Sequence, residues 1–357
     1  MFLQKVRSLL GVVVKDLPRY LPALIRTRRA GYLALCNRGE RLLAAPNGVG
    51  FRCDWAWGSD LHAPKIVPLL GSVLMRRAHA DHPVVSAALP AASQTLIPEV
   101  SFVIGHRGVT RMPHLLATLG SIAAQVGVSI ECIVVEQDTE SRLADQLPDW
   151  VRLIHTPSPA AEMPYCRSWA FNIGAKHARG ELLILHDNDL LVPVDYAAAS
   201  MAKVRSGYEV VNLKRFLFYL SQVHSEALFS GRMDLLSRPP EAITQNLEGG
   251  GSVAITRDGY ARIGGMDERF VGWGGEDNEF WERAQSLAVW PYASMPLWHL
   301  WHAAQPGKQD TANQTLQLAR ELSAVDPKAR IARLSSLPNG LFAGPLGWIK
   351  PSREILT

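Results

Sequence analysis

Cysteine is scarce in this chain: among 357 residues there are four, Cys36, Cys53, Cys132 and Cys166, and none are spaced as CxxC or as zinc ligands. That argues against a disulfide framework and a structural zinc site, and Cys132, inside an apolar run, reads as a buried reduced thiol of a reducing compartment. No run of about 18 apolar residues occurs, so no membrane-spanning helix is expected. Charge of one sign is also lacking. The 37 basic and 33 acidic residues leave a net +4, a weak pull towards anions, and no nucleic-acid-binding motif accompanies it, so no nucleic acid partner is expected. The triple glycine Gly249-Gly250-Gly251-Ser252 lacks the Lys-Ser/Thr ending of a P-loop, and no GxGxxG follows the first apolar strand, which counts against a dinucleotide enzyme. A signal peptide is not expected, because Lys15, Asp16 and Pro18 interrupt the N-terminal apolar residues and no small-residue cleavage site is clear.

What is present can bury a large core: 47% of the residues are hydrophobic and 20% charged, enough for one large domain with additions, or for two. Residues 1–30 set Arg7, Lys15 and Arg19 among Leu9, Leu10, Val12–Val14, Leu21 and Leu24. Such a basic amphipathic segment either lies on an anionic membrane surface or packs on the protein's own core with its cations in water. Trp55, Trp57 and the apolar Ile66–Met75 imply folded structure without a motif, and the Ala/Ser/Pro-rich 86–98 reads as a linker.

From Glu99 the texture alternates. Apolar runs at 100–104, 130–135, 151–154 and 181–185 are interleaved with a helical pattern through Leu115, Leu116, Leu119 and Ile122 and another at 165–178. That is the signature of βαβ units, an α/β fold with a mostly parallel sheet flanked by helices. Ligands of such sheets bind beyond the carboxyl ends of the strands. Here those ends carry Arg107, then Glu136-Gln137-Asp138, then Asp187-Asn188-Asp189.

Three constellations bear chemistry. Asp187 and Asp189, one residue apart at a strand end, can hold a divalent cation such as Mn²⁺ or Mg²⁺ with a nucleotide diphosphate completing the shell, although Asp and Asn are also common in turns. His299 and His302, in Leu-Trp-His-Leu-Trp-His, suit the same metal, with His302 preferred; a packed core histidine is the plainer alternative. Residues 271–280, Val-Gly-Trp-Gly-Gly-Glu-Asp-Asn-Glu-Phe, surround Trp273 with glycines and end in Glu276, Asp277 and Glu279. An indole can stack on a sugar ring and a carboxylate can take a proton from a hydroxyl, while the same acids would also cap a helix N-terminus. Arg167, Asn172 and Gly174 precede the acidic strand end, and Arg167 can fork onto a phosphate or a site carboxylate.

In this order the motifs resemble the GT-A-fold glycosyltransferases over residues 99–305. The first half is similar to family 2 enzymes; the second half is similar to β-1,4-galactosyltransferases, polypeptide N-acetylgalactosaminyltransferases and bacterial chondroitin-type polymerases, down to Trp-Gly-Gly-Glu-Asp. The resemblance implies three parts: an N-terminal extension at 1–95, partly helical; a GT-A domain at 96–305; and a helical tail at 306–357. It implies an inverting, metal-dependent transfer of a hexose or N-acetylhexosamine from a UDP-sugar to a saccharide or lipid-linked saccharide. Asp277 would be the base and Glu276 its partner on sugar hydroxyls. Arg107, Glu136, Asp138, Arg167, Asn172, Asp187, Gly250, Gly251, Trp273, Gly274 and Gly275 would bind nucleotide and substrate, and Asp189, His302, Asp187 and His299 would hold the metal. A cytoplasmic enzyme, touching the inner membrane leaflet through its basic N-terminus, is the matching location. The alternatives are a nucleotidyltransferase on a sugar phosphate, which would want a Gly-rich, Lys/Arg-bearing loop after the first strand where this chain has Gly-His-Arg-Gly with no Lys, and a non-catalytic carbohydrate-binding protein of the same fold.

Overall fold

The computed structural model describes residues 2–25, 31–46, 48–87, 97–304 and 314–336. Its centre is a seven-stranded sheet. In spatial order the strands are Val289–Trp290, Val210–Val211, Ser252–Thr256, Leu182–His186, Val100–His106, Ile130–Asp138 and Val151–Pro157. The last four are mutually parallel; Ser252–Thr256 runs antiparallel to both its neighbours, and Val289–Trp290 is parallel to Val210–Val211. The expected α/β architecture with a mostly parallel central sheet is therefore the one observed.

Continuous apolar runs mark strands covered on both faces. Along Val100–His106, Phe102 and Ile104 pack with Leu115, Leu119 and Ile122 of helix Met112–Ala123, while Val103 faces Ala170, Phe171 and Ala175 of helix Arg167–His177. Gly174 belongs to that second contact: a Cβ there would collide with Val103 Cγ1, so glycine lets the helix settle on the sheet. Cys132 is buried as a free thiol, as expected.

A second sheet of five strands, in the order Ser59–Asp60, Ala242–Gln245, Lys214–Tyr219, Met295–His299 and Leu190–Leu191, lies beside the first. The N-terminal segments close its core. Val12, Tyr20, Leu24, Tyr32, Leu74 and Met75 pack with Phe216, Phe218, Trp298 and Leu300. Buried Arg215 ties the two together by donating to the carbonyls of Leu33 and Leu35. Residues Val12, Asp16, Tyr20 and Leu24, four apart, form the buried stripe, and Asp16 pairs with Arg38 Nε at 3.1 Å. The opposite face leaves Leu9, Leu10, Val13, Val14 and Leu21 exposed beside Arg7, Lys15 and Arg19. Arg26, Arg28 and Arg29 and most of the 86–98 stretch lie outside the described residues. The described part of the tail is two helices, Gln314–Ser323 and Pro327–Ser335.

Candidate active site

The strand Leu182–His186 ends at the carboxyl edge of the central sheet, and Asp187-Asn188-Asp189 turns the chain into Leu190–Leu191 of the second sheet. The acidic turn thus sits at the seam between the sheets. Ser252 pairs opposite His186, which lays the glycine run on that turn; the Asp187 N–H donates to the Gly251 carbonyl at 2.8 Å. Asp277 lies over the same glycines, with its Oδ2 3.3 Å from where a Gly250 Cβ would stand and its carbonyl filling the space of a Gly249 Cβ. The acids at 276–279 form the first turn of helix Glu276–Ala284, the helix N-terminus that the sequence suggested.

Arg167, first residue of its helix, joins the two acidic turns. Its Nε and Nη2 donate to Asp187 Oδ1 at 2.8 and 2.6 Å, and its Nη1 donates to Asp277 and lies 3.8 Å from Glu276 Oε1. The guanidinium also covers the Phe171 ring at 4.5 Å. Three carboxylates around one cation leave excess negative charge. Burial, reinforced by Asp277, pushes Glu276 up to about 7. Burial pushes Asp187 up to about 6 against the pull of Arg167; the 32% of its side chain still exposed softens that push. Beneath them Lys214, 4% exposed, donates to the Ser252 carbonyl; burial brings it down to about 7, and Asp277 and Asp187 keep it from falling further.

The other side of the turn gathers metal-type donors. Met295–His299 runs antiparallel to Leu190–Leu191 with His299 opposite Leu190, and the Leu300 N–H donates to the Asp189 carbonyl at 2.9 Å. Donor atoms of Asp189, His299 and His302 all lie within 4.8 Å of one another. His302 Nε2 is 3.2 Å from Asp189 Oδ2 and His299 Nε2 is 3.8 Å from Oδ1. Asp189 is 3% exposed, and its Oδ1 and His299 Nδ1 are buried with no hydrogen-bond partner among the described residues. Buried polar atoms are rarely left so, and one carboxylate with two imidazoles fits a divalent transition metal. Burial lowers the His299 pKa, favouring the neutral ring that a metal needs. Asp189 stays below its usual range despite burial, because His299, His302 and Arg111 surround it. Arg111, just ahead of helix Met112–Ala123, reaches Asp189 Oδ2 at 3.2 Å and His302 Nδ1 at 2.9 Å.

Several residues singled out in the sequence make internal contacts. Arg107 donates to the carbonyls of Gln137 and Met163 and to the Gln137 and Ser158 side chains, so its cation braces two loops. Glu136 is fully buried and accepts from Ser141 Oγ and the Arg142 N–H; Asp138 accepts from the Thr139 N–H. Asn172 is fully buried: it donates to the Met266 carbonyl and Glu268, and accepts from the Met266 N–H and the Tyr260 hydroxyl. Its amide is engaged by the 260–268 loop. Gly274 and Gly275 take φ of 111° and 90°, and a Cβ on either would run into Leu316 or Ala319 of the tail helix. Their glycine identity is therefore set by backbone and packing. Trp273 beside them is half-buried, and its carbonyl accepts from Thr315 Oγ1. Glu279 is tied to Arg283 and Arg330 in the core.

Arg111 and Lys214 were missed, and both left a trace. Arg111 stands at a helix N-terminus, where a cation opposes the dipole unless an anion offsets it. Lys214 interrupts an apolar strand, where a buried amine requires partners.

The family described as the N-terminal domain of galactosyltransferase matches residues 243–289, a span that includes the glycine run, Trp273, Glu276 and Asp277. No curated protein matches the chain. Among solved structures, the mannosyltransferase PcManGT from Pyrobaculum calidifontis in complex with GDP-Man and Mn²⁺ is similar at 17% identity over 76% of this chain and 74% of that one, with a TM-score of 0.40. The family match thus falls on the segment that carries the glycine run and the Asp277 turn, within a mixed α/β fold with a mostly parallel central sheet.

Proposed function

We propose that the protein is an inverting, metal-dependent glycosyltransferase that moves a hexose or N-acetylhexosamine from a UDP-sugar to a saccharide or lipid-linked saccharide. The observation that carries this reading is the Arg167 bridge: it brings the Asp277 turn to the Asp187–Asp189 turn, beside the Asp189, His299 and His302 donors. Mn²⁺ or Mg²⁺ held by those donors would supply Lewis acidity to the departing nucleotide.

The protein's own groups account for the remaining work. Asp277, 30% exposed in its side chain, takes the proton of the attacking acceptor hydroxyl. Its pair with Arg167 loosens first, and an anionic diphosphate gives that guanidinium an alternative partner of matching geometry. Arg111 provides a second cation for the same charge. Glu276, near neutrality, can donate or accept a hydrogen bond to a sugar hydroxyl. Trp273 supplies a flat face that shields the sugar from water. A panel of UDP-sugars assayed for UDP release with Mn²⁺ tests this reading; no release from any donor, with and without saccharide acceptors, would end it.

The exposed apolar face of the first helices, set among Arg7, Lys15 and Arg19, supports a peripheral contact with an anionic membrane. Leu10→Glu with Val14→Glu alters that face without touching the buried stripe, and should abolish co-flotation with anionic vesicles. Unchanged flotation would remove the contact.

A further inference from the structure

A cavity of about 530 Å³ lies outside the polar site just described. Its walls include Met112, Leu116, Leu191, Leu228, Phe229 and Leu300, and among all its lining residues only Ser86 and Ser121 carry polar side chains. Ser121 Oγ is already engaged, donating to the Thr118 carbonyl and accepting from the Val192 N–H. Among the described residues no cation lines the cavity, so they offer nothing to a phosphate, and they hold too few donors and acceptors for the hydroxyls of a sugar. Its size and lining are those of a pocket for an apolar ligand.

Its position gives it a purpose. Leu191 is two residues beyond Asp189, and Leu300 stands between His299 and His302, with its N–H on the Asp189 carbonyl. The same two chain segments hold the metal-type donors on one side and line the cavity on the other. Met112 adjoins Arg111, the cation on Asp189. His114 shares the dividing wall: its Nε2 is 2.7 Å from the Trp301 carbonyl and its ring centroid is 4.7 Å from that of Phe229. Of the lining residues, Val85 and Leu116 are 49% and 41% exposed.

We propose that this cavity binds the apolar chain of the acceptor, so that the acceptor is an amphiphile whose sugar head reaches Asp277 while its alkyl or isoprenoid tail lies between helices Met112–Ala123 and Gln222–Phe229. The proposal rests on the glycosyltransferase reading for the head and on the cavity alone for the tail. The polar end needs the carboxylates and the metal-type donors; the tail needs only walls that shed water, with each buried methylene favouring binding by about fourfold.

Calorimetry of methyl, hexyl and octyl β-glucosides, below their micelle concentrations and with the full-length protein, separates the two parts. Affinity is expected to climb steeply from methyl to octyl. Ala117→Phe, which fills the cavity, should flatten the series while leaving Mn²⁺ binding as in the wild type. Leu116→Asp, at the exposed rim and without risk to the core, should weaken octyl binding at least tenfold and methyl binding little. Equal affinities along the series, or a series that both variants leave unchanged, would overturn the proposal and indicate that the cavity is closed to ligands or filled by the chain itself. Because the readout is binding, failure of every UDP-sugar to be turned over would strike the catalytic reading and leave the chain-length slope intact.

Discussion

Arg167 holds Asp187 with two nitrogens and Asp277 with a third, so two acidic turns far apart in sequence meet on one guanidinium. The bridge exists because Arg167 begins a helix packed on the central sheet and Asp277 lies in the first turn of another, both at the strands' carboxyl edge. Removing the cation should release both turns. Arg167→Leu is expected to destabilise the fold by about 3 kcal/mol, as for a largely buried pair deprived of one partner. Urea unfolding measures it, and a loss below 1 kcal/mol would mean that the bridge is not formed in solution.

Asp189→Ala should weaken Mn²⁺ binding at least tenfold, since it removes the buried carboxylate on which both imidazoles converge. His302→Ala and His299→Ala should each reduce binding as well. Titration followed by the EPR signal of free Mn²⁺ reads this directly; wild-type affinity in Asp189→Ala would place the ion elsewhere.

Asn172→Ala separates scaffold from ligand contact. Its amide closes four hydrogen bonds to the 260–268 loop, and truncation leaves the Met266 backbone groups unpaired. A loss of about 1–3 kcal/mol in stability is expected, with Mn²⁺ affinity preserved. Reduced UDP affinity at unchanged stability would restore Asn172 to the binding surface.

The site also has an electrostatic signature. Glu276 is raised from 4.5 to about 7, so between those values the folded state holds a proton that the unfolded state has lost, and stability falls as pH rises through that window. Lys214 is lowered from 10.5 to about 7, so between 7 and 10.5 the unfolded state holds the extra proton and stability rises with pH. Both penalties are present together near neutrality. Glu276→Gln should flatten the acidic-side slope and Lys214→Met the alkaline-side slope in urea midpoints measured from pH 5 to 10. Parallel profiles for wild type and both variants would refute the shifts.

The central sheet was legible because fully buried parallel strands announce themselves as β-branched runs, as at Val100–Ile104 and Ile130–Val135. The second sheet was not. Leu190–Leu191 is two residues long, and its partner Met295–His299 lies a hundred positions on, so only tertiary pairing makes them strands. That pairing also explains why Asp189 converges with His299 and His302. Polar residues at strand ends were harder to sort, because the loop contacts that Arg107 and Glu136 make leave no mark in the sequence. The N-terminal helices supported both readings of their pattern, since one stripe is buried and the other face stays apolar and exposed.

The most direct test of the single-site account is calorimetric UDP binding, with and without Mn²⁺, set beside turnover in wild type, Asp189→Ala and Asp277→Asn. The account predicts UDP binding that needs Mn²⁺ and is lost in Asp189→Ala, and Asp277→Asn that binds UDP within about threefold of wild type while turnover drops by about 10²–10⁴. UDP binding indifferent to both Mn²⁺ and Asp189, or full turnover without the Asp277 carboxylate, would contradict it.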